Sequence, residues 1–256
     1  MLTTVFQQEQ SLFFGIGFNM ENQNLLAGGT LLINKPLTWT SFDMVKKIRN
    51  LLRSHYQVKK IKVGHAGTLD PLATGLLVVC TGKFTKRINE FQGQEKEYTG
   101  TITLGGTTPS FDLETEVDQT YPTEHLTEKQ IRDACAQFTG EITQVPPVFS
   151  ALKQDGKRLY ELARKGEKVE VKSRQVAIRE FEITRIELPE VDFHVSCSKG
   201  TYIRSLANDF GKALNSGGHL TALCRTRIGD FQLKEAFDIE TLNDYIGGLN
   251  SSPSDV

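Results

Sequence analysis

Apolar and polar positions change period along the chain, which predicts a mixed α+β protein. Continuous apolar runs bounded by turn residues predict a short strand at 30–34 and a buried strand at 76–80. A helix lies between them, with Ser41 predicted as its N-cap. Its apolar face is predicted from four residues at helical spacing: Phe42, Val45, Ile48 and Leu52.

The same irregular alternation continues to the end of the chain. Helical signals occur at 84–91, 127–138, 158–165 and 203–214, and strand signals at 96–104, 168–186, 191–198 and 223–230. Residues 105–125 contain five acidic side chains, no Lys or Arg, and many turn-forming residues. We expect this acidic segment to be an exposed excursion.

The ends of the chain differ from its middle. Patterned sequence begins abruptly at Gly29, so we expect residues 1–28 to be a disordered leader, with Met20 as the natural start. Residues 29–238 are the predicted domain, with an insertion near 105–150, and 239–256 a short tail. Because 25 residues follow Phe231, fewer than the roughly 40 that a unit needs to fold unaided, no separate carboxy-terminal domain is predicted.

Composition excludes several classes of protein. The apolar runs fall far short of the roughly 20 residues of a membrane span, and the stretch at 12–18 lacks the flanks of a signal peptide. The cysteines, at positions 80, 135, 197 and 224, show no metal-ligand spacing. We therefore expect a cytoplasmic protein with reduced thiols, no membrane contact, no metal and no cofactor.

The charge is close to balanced overall but unevenly distributed. The formal net charge is -1, from 30 Lys and Arg against 31 Asp and Glu, which by itself argues against a nucleic-acid partner. However, seven basic and no acidic residues lie between Lys46 and Lys62, and eight basic residues lie between Lys153 and Arg174. Each basic run is either a solvated face or a track that binds phosphates.

One loop concentrates reactive residue types. Residues 64–75 hold three glycines, His65 and Asp70, between two apolar strands. The order is neither that of a phosphate-cradling loop nor that of a dinucleotide fingerprint. Taken alone, Asp70 before a proline is typical of a turn, and His65 of a structural histidine. The spacing does not decide between these interpretations and a ligand-binding loop.

Five motifs, in order, resemble the tRNA pseudouridine-55 synthases of the TruB type. They cover the chain from about Gly29 to Phe231, and Thr38 and Phe84 depart from them, standing where the family usually has glycine and alanine. The motifs lie at 34–41, 64–86, 96–98, 144–161 and 198–206.

The resemblance implies a fold, an activity and a site. The implied fold is an α+β catalytic domain with a mixed, mainly antiparallel central sheet flanked by helices. The implied reaction converts uridine 55 in the T arm of tRNA to pseudouridine, without a cofactor. Asp70 is implied as the nucleophile, Tyr98 as the residue that stacks on the flipped base and can transfer a proton, and Arg204 as the partner of the Asp70 carboxylate. The residues implied to line or support the uridine pocket are His65, Tyr202, Leu223 and Lys35.

The resemblance also bears on partners, and two rivals remain. We expect the T-arm stem-loop of tRNA as the partner, with no membrane, no required protein partner and a monomeric state. The first rival is a catalytic subunit that modifies other RNAs through guide ribonucleoproteins; a basic tail and an extra RNA-binding domain are expected there and are not seen in this sequence. The second is an RNA-folding chaperone without catalysis.

Overall fold

A nine-stranded sheet organises the protein. Seven of its strands follow one another in the order β1 (Thr30–Lys35), β3 (Ala73–Thr81), β12 (Gly218–Ile228), β4 (Lys96–Leu104), β11 (Glu190–Cys197), β10 (Arg174–Glu187) and β7 (Gly140–Gln144). In addition, β2 (Val63–His65) pairs with β3, and β13 (Phe231–Gln232) pairs with β12. Neighbours run antiparallel except β3 and β12, which are parallel. This architecture confirms the predicted α+β fold with a mixed, mainly antiparallel sheet.

The structure is a computed structural model and describes residues 24–150, 152–154, 156–165, 169 and 171–249. Two short hairpins consist of β5 (Gly106–Thr107) with β6 (Gln119–Thr120) and β8 (Lys153–Gln154) with β9 (Lys157–Arg158). The helices are α1 (Ser41–His55), α2 (Ile88–Gly93), α3 (Glu128–Ala134), α4 (Leu159–Ala163), α5 (Ile203–Ala213) and α6 (Ile239–Gly248).

The pattern of buried and exposed residues in strands β3 and β4 shows how each strand is covered. In β3 every residue except position 74 is buried, as expected for a continuous apolar run that is covered on both faces. In β4, the buried side chains of Tyr98, Ile102 and Leu104 alternate with wetter neighbours, as the period of two predicted.

Helix α1 starts one residue away from the predicted cap. Thr40 is the N-cap and forms a reciprocal capping box with Asp43, so the assignment of Ser41 was wrong. Ser41 instead faces inward, where its hydroxyl donates to the carbonyl of Leu69 and accepts from the amide of Leu69. Phe42, predicted on the apolar face, is 63% exposed, and Met44 is buried in its place.

Helices cover the sheet in two groups. Helices α3 and α5 pack on β4, β10, β11 and β12 through residues such as Ile131 and Phe210. Helices α1 and α6 pack on β1 and β3, where Leu242 and Ile246 of α6 are buried in one cluster with Ile48. Residues 239–248, which the sequence predicted as a tail, are therefore helical and packed.

The acidic segment is less exposed than expected. Thr108, Ser110 and Asp112 are buried, with Asp112 only 5% exposed, because this segment passes beneath the site described below. The strand β7 at the far end of the predicted insertion is an edge strand of the main sheet. The predicted leader before residue 24 lies outside the described residues, and Leu25 is buried in the α1 cluster.

Candidate active site

A cleft of about 510 Å³ opens where the parallel pair β3–β12 meets β4. Its walls come from residues 67–70 of the glycine-rich loop, from β4 and β12, and from the turn at 198–202 that leads into α5. The volume falls within the range of small-molecule sites, so the cleft can hold one nucleoside but not a helix.

Asp70 projects from a loop that is tied down on both sides. Before it, Leu69 is held by the Ser41 hydroxyl. After it, the carbonyl of Pro71 accepts from the backbone amide of Thr38 at 2.8 Å. Thr38 has a φ of +70°, which explains why glycine is expected at this position. The helix α1 and the strand β1 therefore position the carboxylate.

Arg204 supplies the charge partner of Asp70. It is the second residue of α5, and its side chain is 4% exposed. Its Nε lies 2.9 Å from Oδ2 of Asp70 and 3.6 Å from Oδ2 of Asp112. Its Nη1 donates to the carbonyls of Ser110 and Phe149. Arg204 is thus anchored by backbone and shared between two carboxylates.

The environment of Asp70 disfavours its charged form. Burial in the cleft raises the pKa of Asp70 above its usual range, the carboxylates of Asp112 and Glu114 raise it further, and Arg204 opposes them. Because 39% of the Asp70 side chain remains exposed, the carboxylate can still meet a ligand in the cleft. A carboxylate of this kind is suited to nucleophilic or base chemistry.

One wall of the cleft is apolar and aromatic. Tyr98 and Leu223 lie on the neighbouring strands β4 and β12 and line the cleft together with Tyr202. Burial raises the pKa of Tyr98, so its phenol is neutral at ordinary pH. Gln144 fixes the backbone of Tyr202 by accepting from its amide at 2.7 Å and donating to its carbonyl at 3.0 Å.

Two of the predicted pocket residues lie behind the cleft wall. Neither Lys35 nor His65 is among the described residues that line the cleft. The Lys35 ammonium donates to the carbonyls of Trp39 and Pro36 and, at 3.4 Å, of Pro71, so it supports the loop that carries Asp70. Burial lowers the pKa of Lys35 to about 8, and burial followed by the charge of Arg225 lowers the pKa of His65.

Sequence reasoning assigned no role to several charged residues of the site, among them Asp112, Arg225 and Lys96. Asp112 was interpreted as an exposed acid, because its pairing with Arg204 joins distant segments. Arg225 is 1% exposed and donates to the carbonyls of Leu76 at 2.7 Å and Gly67 at 3.1 Å, so it ties β12 to both ends of the glycine-rich loop. Lys96, quoted only as part of a motif, lines the cleft, and burial lowers its pKa to about 8. For Arg225, the available signal was its alternation with Arg227 inside the strand predicted at 223–230.

Comparison with known proteins places this site in a family. The model of the TruB family pseudouridylate synthase (N terminal domain) matches residues 53–203, and that of the tRNA pseudouridylate synthase B C-terminal domain matches residues 204–251. The chain belongs to the TruB family of pseudouridylate synthases. The predicted resemblance is confirmed.

Relatives in the TruB family align over nearly their full length. The tRNA pseudouridine synthase B of Flavobacterium johnsoniae is 64% identical over 221 residues, covering 86% of this chain and 96% of that protein. The one from Phocaeicola vulgatus is 57% identical over 223 residues, covering 87% and 95%. Among solved structures, a Cbf5-Nop10-Gar1 complex contains a chain with 29% identity and a TM-score of 0.67. The match covers 90% of this chain but 58% of that one.

Within residues 24–249, as far as the structure describes them, no group of three or more His, Cys, Asp or Glu side chains could hold a metal ion. In the same described part, no helix is long and apolar enough to cross a membrane.

Proposed function

We propose that this chain isomerises uridine 55 in the T arm of tRNA to pseudouridine, with Asp70 as the nucleophile. The observation that carries the proposal is the Asp70 carboxylate, held 2.9 Å from a buried arginine in a cleft of nucleoside size. The high identity to proteins named tRNA pseudouridine synthase B supports tRNA as the substrate.

The size of the cleft requires the target base to leave the RNA stack. Extruding a base costs a few kcal/mol, and stacking on an aromatic ring returns about 1–3 kcal/mol. We assign this stacking to Tyr98, which lines the cleft together with Tyr202 and Leu223. Catalysis then occurs away from the paired stem.

The reaction is a balanced isomerisation. The bond between C1′ of the ribose and N1 of uracil breaks, the base turns, and C1′ forms a bond with C5. The proton on C5 leaves and N1 takes up a proton, so no atom is gained or lost. Asp70 can attack the sugar, attack the base, or assist elimination through a glycal, and the residues are the same in each route.

The remaining site residues prepare the carboxylate and the base. Arg204 favours the ionised form of Asp70, which a nucleophile needs. We assign to Tyr98 both the stacking and the transfer of a proton. Lys35 and His65 lie behind the cleft wall. Lys35 supports the loop that carries Asp70 by donating to one of its carbonyls, and His65, the last residue of β2, lies where that loop begins.

Tritium release tests the proposal. Wild type and Asp70→Asn are compared on an unmodified T-arm stem-loop that carries [5-³H]uridine at the target position. We expect release by wild type and a loss on the order of 10⁶-fold in the variant, the scale of other lost nucleophiles. Absence of release by folded wild type refutes the activity, and retained release by the variant refutes the role of Asp70.

The same assay separates this proposal from a guide-dependent function. The stem-loop is given without guide RNA or further proteins, and we propose that the chain acts on it as a cytoplasmic monomer. Release only after a guide ribonucleoprotein is supplied would favour the rival. Size-exclusion chromatography with light scattering checks the monomeric state.

A further inference from the structure

The cleft carries more positive charge than its one acidic residue can balance. Among the described lining residues, Asp70 faces five cations: Lys96, Arg174, Lys199, Arg204 and Arg225. Arg204 pairs with Asp70, while Lys96 and Arg225 donate to backbone carbonyls. Arg174 and Lys199 have no ion pair with any described acidic side chain. These two cations are therefore available to a ligand.

Arg174 is held in place without having its hydrogen-bonding capacity filled. Its guanidinium lies over the ring of Tyr202, 4.5 Å from the centroid. Arg174 begins β10 opposite Gln144, the residue that clamps the backbone of Tyr202. Its Nε is buried with no hydrogen-bond partner in the described part of the chain. A stacked, pre-positioned guanidinium with free N–H groups is suited to a planar anion or a phosphate.

The turn beside Arg174 brings Lys199 to the same side of the cleft. The amide of Ser198 donates to the carbonyl of Ala177, and the hydroxyl of Thr201 donates to the carbonyl of Ser198, so the turn is fixed. Gly200 has a φ of +85°, and a Cβ there would lie 3.5 Å from Nη1 of Arg174. The turn thus passes directly beside the guanidinium, with Lys199 exposed on it.

We propose that Arg174 and Lys199 form a subsite for one phosphodiester of the RNA, the phosphate that adjoins the extruded uridine. This proposal rests on the proposed function, because it takes the uridine to be the occupant of the cleft. When the base stacks on Tyr98 and the ribose faces Asp70, the two flanking phosphates remain at the mouth of the cleft. The subsite binds one of them and so fixes the nucleotide against the carboxylate.

A neutral phosphate analogue tests this subsite. T-arm stem-loops are prepared with a single methylphosphonate at the phosphate on the 5′ or the 3′ side of the target uridine. For each RNA, kcat/KM for tritium release and Kd are measured with wild type, Arg174→Gln and Lys199→Gln. We expect one of the two methylphosphonates to lower kcat/KM by about tenfold in wild type and to have little further effect in either variant.

Matched controls come from the same strand, β10, and from the helix that follows the turn, α5. Arg179→Gln lies on β10 too, but its 78% exposed side chain pairs with Glu95 outside the cleft. Lys212→Gln, on α5, is the control for Lys199→Gln. Both controls should respond to the methylphosphonate like wild type. The slope of log Kd against log salt should fall by about 0.7–0.9 in Arg174→Gln and remain unchanged in Arg174→Lys, which keeps the charge.

Three outcomes overturn the subsite. If the methylphosphonate effect multiplies unchanged with that of Arg174→Gln, then Arg174 only packs against Tyr202. If wild type releases tritium but is indifferent to both methylphosphonates, the subsite is wrong while the proposed function stands. If wild type releases no tritium, the proposed function is refuted, and the comparison of Kd values decides whether the subsite exists. If wild type does not bind the RNA, the proposed function and the subsite are both refuted. Circular dichroism and melting temperature confirm that each variant is folded.

Discussion

Replacing Arg204 by glutamine removes the cation that lies 2.9 Å from the Asp70 carboxylate. Two unit charges at this distance attract each other by about 6 kcal/mol at an effective dielectric constant near 20. Because the Asp70 side chain is 39% exposed, solvent screens much of this attraction, and we take about one third, or ~2 kcal/mol, as the net value.

That net value predicts a shift in the pH dependence of the reaction. Loss of the ~2 kcal/mol that favours the ionised form raises the pKa of Asp70 further. Because the proposed role of Asp70 needs its ionised carboxylate, the acidic limb of kcat/KM should move to higher pH. The measurement is the pH profile of tritium release between pH 5 and 9.

A second variant separates charge from geometry. Arg204→Lys keeps a cation but loses the guanidinium contacts to the carbonyls of Ser110 and Phe149. Its rate should fall while its acidic limb stays within about 0.5 pH unit of wild type. If Arg204→Gln lowers kcat/KM equally at every pH, then Arg204 does not sustain the charge of Asp70 and the electrostatic reasoning is wrong.

Three further predictions concern stability and RNA affinity. Burial raises the pKa of Asp70, so its ionised form lowers the stability of the fold above that pKa. Asp70→Asn should therefore melt no lower than wild type at pH 8. The difference in melting temperature should vanish as the pH falls and the wild-type carboxyl becomes protonated. A lower melting temperature of the variant at pH 8, by scanning fluorimetry, would contradict this. Gly75→Ala should lower the free energy of unfolding in urea by roughly 3 kcal/mol or more, because φ is +97° and the new Cβ would lie 2.4 Å from the carbonyl oxygen of Arg225. The control Gly247→Ala, whose new Cβ would have no atom within 4 Å, should not be destabilised, and equal effects of the two substitutions would refute the steric argument. Changing the exposed Lys59, Lys60 and Lys62 to glutamate should weaken binding of the stem-loop. The slope of log Kd against log salt should fall by about 0.9 per lost phosphate contact. An unchanged slope in filter binding would exclude these lysines from the RNA interface.

Local pattern predicted most of the elements. The strand at 96–104 and the helix opening at Thr127 were confirmed at the predicted residues, because a half-wet strand and a capping box are written into adjacent positions. The start of α1 was wrong by one residue. Ser41 and Thr40 are both good caps, and only the contact of Ser41 with Leu69 decides between them.

The site likewise contains residues that the motifs predicted and one that they did not. The motifs named Asp70, Tyr98 and Arg204, and the structure brings all three to one cleft, although their roles stay predictions. Asp112 lies in an acidic, turn-rich segment that is typical of a solvated surface. Its burial follows from the passage of this segment beneath α5, a contact between residues 92 positions apart that local pattern does not encode.

The sequence by itself determined the α+β class and the family and named the candidate site residues, because periodicity, caps and motifs are properties of neighbouring positions. Only the tertiary structure decided the electrostatics: which carboxylate shares Arg204, where Arg225 binds the loop, and that Lys35 and His65 lie behind the wall. The near-neutral net charge of the chain gives no indication of this arrangement. Burial, charge pairing and cleft geometry arise from strands and helices that are distant in the chain, so they exist only once the sheet has formed.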